Sequence, residues 1–311
     1  MDAAAPSEAP GRGNDPGDAG WAQAGRDALA AADAALGQRF DSGADALRLA
    51  AERARAVDAV VAAAWERCVP RTAGLALFAV GGYGRGELFP YSDLDLLVLA
   101  GREPDDAAGA ALSRLFALLW DCGLAASHSV RTPAQCTAAA ADITVMTSLM
   151  EARPIAADAR ARSELARAIA PDRAWPARDF FVAKAEEKDQ RHARFGDTSD
   201  NLEPNLKEGP GGIRDLQVLG WMARRAFGTH ELDPLVALGH VGADEAAALD
   251  RERRALARLR YGLHLVAGRA EERLRFDHQK ALAERLGFAD DAHSLAVEKM
   301  MQGFYRSAAV V

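Results

Sequence analysis

The stretch Phe78-Ala-Val-Gly-Gly-Tyr-Gly-Arg-Gly-Glu-Leu-Phe-Pro-Tyr-Ser-Asp-Leu-Asp-Leu-Leu-Val-Leu99 constrains this chain more than any other. An apolar run, Leu75 to Val80, breaks at Gly81-Gly82, and a second apolar run carries Asp93 and Asp95 two residues apart. Side chains alternate along a strand, so both carboxylates point to one face while Leu94, Leu96 and Val98 point to the other. Their Cα atoms then lie about 6.5–7 Å apart, which suits two carboxylates gripping divalent cations roughly 3.5–4 Å from one another. Glycines ahead of the pair let backbone amides approach a polyphosphate with no Cβ in the way. Two acids on an otherwise apolar strand are costly to bury unless they bind a cation. Strand, Gly-Gly turn and Asp-x-Asp strand together predict metal-dependent nucleotidyl transfer.

Other phosphate-binding patterns fail on detail. Gly82-Tyr-Gly-Arg-Gly-Glu is not a G-x-G-x-x-G leading into a helix, and no Gly-Lys-Ser/Thr ending marks a Walker A loop. Gly81, Gly82 and Gly84 are therefore the candidate phosphate cradle, with Arg85 as its cation. Ser92 either hydrogen-bonds phosphate or shapes the strand entry. A second glycine-rich segment, Lys207-Glu-Gly-Pro-Gly-Gly-Ile-Arg-Asp-Leu-Gln217, reads either as an anion site with Lys207 adding charge or as an ordinary connector. The histidines (128, 192, 230, 240, 264, 278 and 293) show no HExxH, and Asp277-His278 reads as a helix start.

The remaining composition excludes several classes. A net charge of −7 argues against a protein that coats nucleic acid, and 49% hydrophobic residues support a substantial core in 311 residues. Cys68, Cys122 and Cys136 are widely spaced, so neither a disulfide framework nor a zinc site is expected. Without a signal peptide or a membrane-length apolar run, the chain reads as cytoplasmic, with no membrane partner.

Patterning predicts a disordered arm over 1–18, then helices over about 21–39 and 43–68, with Ser42 and Asp45 forming a capping box. Strands follow at 75–80, 93–99 and 124–131, with a helix at 105–121 and another from Pro133. Asp142 to Met150 is either a buried helix or a strand. Beyond about residue 160 the chain reads as helices, over roughly 177–195, 213–227, 243–268, 278–287 and 290–308. The fold class is α+β, with a nucleotidyltransferase domain over 19–160 and a helical domain over 161–311. The helical pattern still runs at Phe304 to Val311, so the expectation is a chain cut from something longer.

Gly-Gly-Tyr-Gly-Arg-Gly-Glu-Leu-x-Pro-x-Ser-Asp-Leu-Asp-Leu-Leu resembles the nucleotidyltransferase motif of the bacterial bifunctional uridylyltransferase/uridylyl-removing enzymes. The resemblance extends to Trp120-Asp-Cys-Gly-Leu, His128-Ser-Val-Arg-Thr132, Leu149-Met-Glu-Ala-Arg153, Asn205 to Gln217 and Phe276-Asp-His-Gln279. It implies a polymerase-β-like domain with a mixed sheet, followed by an all-helical domain. It also implies Mg²⁺-dependent transfer of UMP from UTP to a tyrosine of the nitrogen-regulatory PII protein, releasing pyrophosphate. The family's HD and ACT domains do not fit within these residues. Many folds of this type supply a third carboxylate from a neighbouring strand, yet Cys122 to Arg131 contains no acid and places Ser127 and Ser129 on one face. Asp121, Asp142 and Glu151 are the candidate substitutes. Two other readings remain: a nucleotidyltransferase acting on RNA or a small molecule, and a non-catalytic nucleotide-binding module.

Overall fold

The computed structural model describes residues 16–196, 201–229 and 231–311. The arm expected over 1–18 lies mostly outside these residues. Its last three are instead the start of helix α1 (Pro16–Asp41). Asp18 is buried there and accepts hydrogen bonds from Arg67 Nε at 2.6 Å and Arg114 Nε at 2.8 Å. Helix α2 (Ala46–Cys68) is capped by Asp45, which accepts from the Arg48 amide at 2.9 Å. The expected Ser42 capping box does not form, because the Ser42 hydroxyl donates back to the Gln38 carbonyl at the end of α1.

Four strands form one mixed sheet in the order β3-β2-β1-β4. They are β1 (Leu75–Ala79), β2 (Leu94–Ala100), β3 (Ala126–Arg131) and β4 (Arg153–Ala156). β1 runs antiparallel to β2 and β4, whereas β2 and β3 are parallel. A parallel pair needs a crossover, and helix α4 (Asp106–Asp121), capped by Asp105, supplies it. The glycine turn after β1 is a single helical turn, α3 (Gly81–Gly84). Helix α5 (Pro133–Ala139) begins at a Thr132–Gln135 capping box. The ambiguous segment after it is helix α6 (Ile143–Met150), because Asp142 accepts from the amides of Thr144 and Val145.

β4 and helix α7 (Ala159–Ala168) were not expected from patterning. Pro154 argues against a strand, but β4 lies at the sheet edge, where a missing N–H is tolerated. Helices α8 (Ala177–Arg194), α9 (Ile213–Phe227), α10 (Leu232–Ala237), α11 (Ala243–Ala267), α12 (Phe276–Arg285) and α13 (Ala296–Val310) complete the chain. The start of α13 falls six residues later than expected, since Asp291 turns the chain by accepting from the amides of His293 and Ser294. The chain is thus α+β, a small mixed sheet followed by helices, as the sequence predicts.

Alternation along the strands fills both faces. Leu77, Ala79, Leu94, Leu96 and Val98 pack on Val57 and Val61 of α2 and on Leu115 and Leu119 of α4. Phe78, Leu97 and Leu99 pack on Met146 of α6, Phe180 of α8 and Val218 and Trp221 of α9. A third core joins Leu49 and Ala50 of α2 to Leu256 and Leu263 of α11, Leu282 of α12 and Phe304 of α13. Cys68 and Cys122 lie in the first core and Cys136 in the second, all unpaired and buried. Among the described residues no helix is long and apolar enough to cross a membrane.

Candidate active site

The Val80 amide donates to the Asp95 carbonyl at 2.9 Å, fastening the end of β1 to the start of β2. The chain then turns through α3, closed by the Gly84 amide on the Val80 carbonyl at 2.9 Å. Gly81 has φ +57°, and a Cβ there would stand 3.0 Å from Asp95 Oδ2. Glycine is therefore favoured by the left-handed backbone, and a Cβ there would crowd the carboxylate lying over it. Gly84 answers a different need. A Cβ there would meet the Glu151 carbonyl at 2.3 Å, so its lack of a side chain lets α3 pack on the end of α6.

Asp93, Asp95, Gly81, Gly82, Arg85, Ser92 and Lys207 all line one cavity of about 550 Å³. Gly84 does not line it. Among the described residues no hydrogen bond or ion pair engages the carboxylate of Asp93 or Asp95. Burial, and then the neighbouring Asp93, push the Asp95 carboxyl above its ordinary value. Two unpaired oxygen-donor acids in a partly buried cavity are the donor set a hard divalent cation takes, with water or substrate oxygens completing its shell. No group of three or more His, Cys, Asp or Glu positioned for a metal occurs among the described residues.

The third acid is absent from the neighbouring strand in three dimensions as well. In the parallel register Asp95 lies opposite Ser127, and Leu97 opposite Ser129. Asp121 ends α4 and Asp142 caps α6, and neither lines the cavity. Glu151 does line it, but accepts from Arg85 Nη1 at 2.6 Å and from Trp221 Nε1. Arg85 also donates to Glu87 at 2.8 Å, so this cation is held between two carboxylates.

The turn into β2 is gripped from outside the sheet. Arg53 of α2 donates to the Phe89 carbonyl at 3.1 Å, and His264 Nδ1 of α11 lies 2.7 Å from the Pro90 carbonyl. Arg260 lies over the Phe89 ring at 4.4 Å. Tyr91 follows with φ +60°, an uncommon conformation for a residue with a side chain, immediately before Ser92 and Asp93. Helix α11 thereby helps to place the acid pair.

The loop before α9 also contributes to the wall of the cavity. Its backbone is satisfied internally. Asn205 Oδ1 accepts from the amides of Lys207 and Glu208, and the Gly211 amide donates to Asp215. The Gly212, Ile213 and Arg214 amides donate to the carbonyls of Gly209, Leu206 and Lys207. The loop is therefore a connector, and its amides and helix start are not offered to an anion. Its Lys207 side chain is different. The Lys207 side chain lines the cavity, its ammonium has no ion pair or hydrogen bond among the described residues, and burial pulls that ammonium below its ordinary value.

Patterning did not single out Arg214, Trp221, Arg260 and Glu272, which also line the cavity. Glu272 accepts from Arg260 Nε at 2.8 Å. Burial works against its charge, but the adjacent His264 and Arg260 hold its carboxyl well below the ordinary range. Arg214 stands in the glycine-rich segment and was the one with a local signal. Arg260 and Glu272 sit among many charged helical residues, and only folding distinguishes them.

Two family models match the chain. One, described as a nucleotidyltransferase domain, covers residues 63–134, and the other, described as GlnD PII-uridylyltransferase, covers residues 179–311. A bifunctional uridylyltransferase/uridylyl-removing enzyme of Xanthomonas campestris is 66% identical over 295 residues, which is 95% of this chain and 34% of that protein. Its counterpart in Xanthomonas oryzae is 63% identical over 98% of this chain, and that of Stutzerimonas stutzeri 45% identical over 87%. The chain spans about a third of the length of these relatives.

Proposed function

Over nearly its whole length the chain is related to the bifunctional uridylyltransferase/uridylyl-removing enzymes, and from that kinship we propose that it transfers UMP from UTP to a tyrosine of a PII protein. The observation that carries the reading is the unpartnered pair Asp93 and Asp95, set against Gly81 in a cavity that Lys207 also lines. Asp93 and Asp95 would hold the divalent cations, taken as Mg²⁺. When bound, such ions neutralise the polyphosphate and ease loss of the acceptor's proton.

The chain's own residues do the rest. Gly81 and Gly82 leave room for the phosphates at the end of β1, and Lys207 brings positive charge to the same cavity. Arg85 keeps Glu87 and Glu151 neutralised close to that anion and turns its remaining donors to it. Ser92 borders the same space. The tyrosine oxygen attacks the α-phosphorus, a P–O bond to the tyrosine forms, and the bond to the pyrophosphate oxygen breaks. The phenol proton passes to water and pyrophosphate departs. A cytoplasmic setting, where UTP and PII are at hand, goes with this reading.

Incubating the protein with labelled UTP, ATP or CTP, with PII or RNA, and with or without Mg²⁺ tests the proposal. Label from UTP on PII, dependent on the cation and absent in Asp95→Asn, is the expected result. Label on RNA would make it an RNA nucleotidyltransferase. Binding of UTP without release of pyrophosphate would make it a nucleotide-binding module.

A further inference from the structure

The two edges of the sheet are treated differently. β4 is interrupted by a register irregularity opposite Leu77 and Phe78 and carries Pro154, two features that discourage pairing by another chain. β3 carries neither. Its register with β2 runs unbroken from Leu94–Ala126 to Leu99–Arg131, and no strand among the described residues pairs its outer side. Ser127 and His128 are exposed.

Alternation fixes what this edge offers. The Leu94 amide donates to the Ala125 carbonyl, so in a parallel ladder residues 125, 127, 129 and 131 direct their backbone groups to β2. The N–H and C=O of Ala126, His128 and Val130 therefore face outward. The Ala126 and Val130 side chains pack on the first core, and the His128 ring, which borders the cavity, stacks on Phe116 at 3.5 Å. By alternation the cavity face of β3 bears Ser127, Ser129 and Arg131, all of which line the cavity alongside His128.

Transfer chemistry then selects an occupant, on the reading proposed above. Nucleophile and leaving group of a phosphoryl displacement lie roughly in line on opposite sides of the phosphorus. The phosphate cradle follows β1, on one side of Asp95, so the acceptor comes from the other side, which is β3. The geometry points to β3 as the docking edge for an extended segment of the acceptor protein. That segment pairs with Ala126, His128 and Val130 and turns its tyrosine into the cavity over Ser127. Arg131, without an ion pair or hydrogen bond among the described residues, lies further along the same face and suits an acidic side chain in the segment. Main-chain pairing supplies affinity here, and the small serines leave room for the phenol ring.

The test uses the whole chain, PII and labelled UTP. Ala126→Pro and Val130→Pro each remove one outward N–H, and proline is tolerated at such positions. The half-saturating PII concentration is expected to rise about tenfold in each variant, the scale of one or two lost hydrogen bonds. UTP binding measured without PII stays within twofold. Folded variants with unshifted half-saturation overturn the edge. Where a variant does not fold, hydrogen exchange on the wild-type chain decides: adding PII is expected to slow exchange at Ala126, His128 and Val130, and unchanged exchange there overturns the proposal. Failure of the wild-type chain to label PII at any concentration would overturn the uridylyl-transfer reading as well, whereas labelling with an unshifted half-saturation removes only the edge.

Discussion

Asp95 combines two demands that pull apart. Its carboxyl is pushed above the ordinary 3.8 by burial and by Asp93, so its charge works against the folded state at neutral pH. That penalty is relieved as pH falls through the raised value towards 3.8. Asp95→Asn is therefore expected to melt no lower than wild type in chelator-containing buffer at pH 7, while the UMP transfer proposed for the chain falls by roughly a thousandfold or more. Thermal denaturation alongside the labelled-UTP assay measures both. Glu272 works with the opposite sign. Its folded-state value lies below 4.5, so the stability it contributes is present above pH 4.5 and is lost as pH falls below. Glu272→Gln is expected to lose about 2 kcal/mol at pH 7, because Arg260 then keeps a buried charge without its partner. Urea titrations of the two proteins should converge in acid. The acid pair was legible from a period of two along a strand. Arg260 was not, because its partner lies 12 residues away in sequence and its place over the Phe89 ring depends on packing between α11 and a distant turn.

At the level of elements, glycine-rich segments that look alike in sequence do different work. Gly81 makes space for the Asp95 carboxylate, while Gly211 makes space for another helix. Gly211 has φ +70°, and a Cβ there would stand 2.2 Å from the Ala308 carbonyl of α13. Gly211→Ala is expected to cost roughly 2–5 kcal/mol, combining a left-handed backbone with an overpacked contact. It should also weaken UTP binding, since the same loop carries Lys207. Denaturant midpoints and UTP titration of the variant check this. Sequence patterning found strands and helices wherever alternation or a 3.6-residue period ran long enough, as in β1, β2, α4 and α11. It missed β4, whose four residues include a proline, and it left α6 undecided because that segment is apolar on nearly every side. There the Asp142 cap decided the outcome, a local hydrogen bond rather than a period.

The molecule as a whole is joined by apolar packing that crosses residue 160. Phe180, Val218 and Trp221 cover the face of the sheet that carries Asp95, and each contributes about 1.5–3 kcal/mol on burial. Their sum is comparable to the 5–15 kcal/mol by which whole proteins are stable. A fragment of residues 16–170 is therefore expected to lack a cooperative urea transition, whereas the full chain unfolds in one; near-ultraviolet circular dichroism of both distinguishes the outcomes. This dependence was hidden in the sequence, where the early α/β pattern and the later helical pattern read as separable. The three cysteines carry a consequence of a practical kind. Burial pushes the Cys122 and Cys136 thiols up to about 11 and shields Cys68 as well. In the native protein they are poor nucleophiles, so a thiol-reactive dye labels the chain only as fast as it opens. Because Cys136 lies under one face of the sheet and Cys68 and Cys122 under the other, peptide mapping of the labelled sites would time the two faces separately, using reporters the protein already contains.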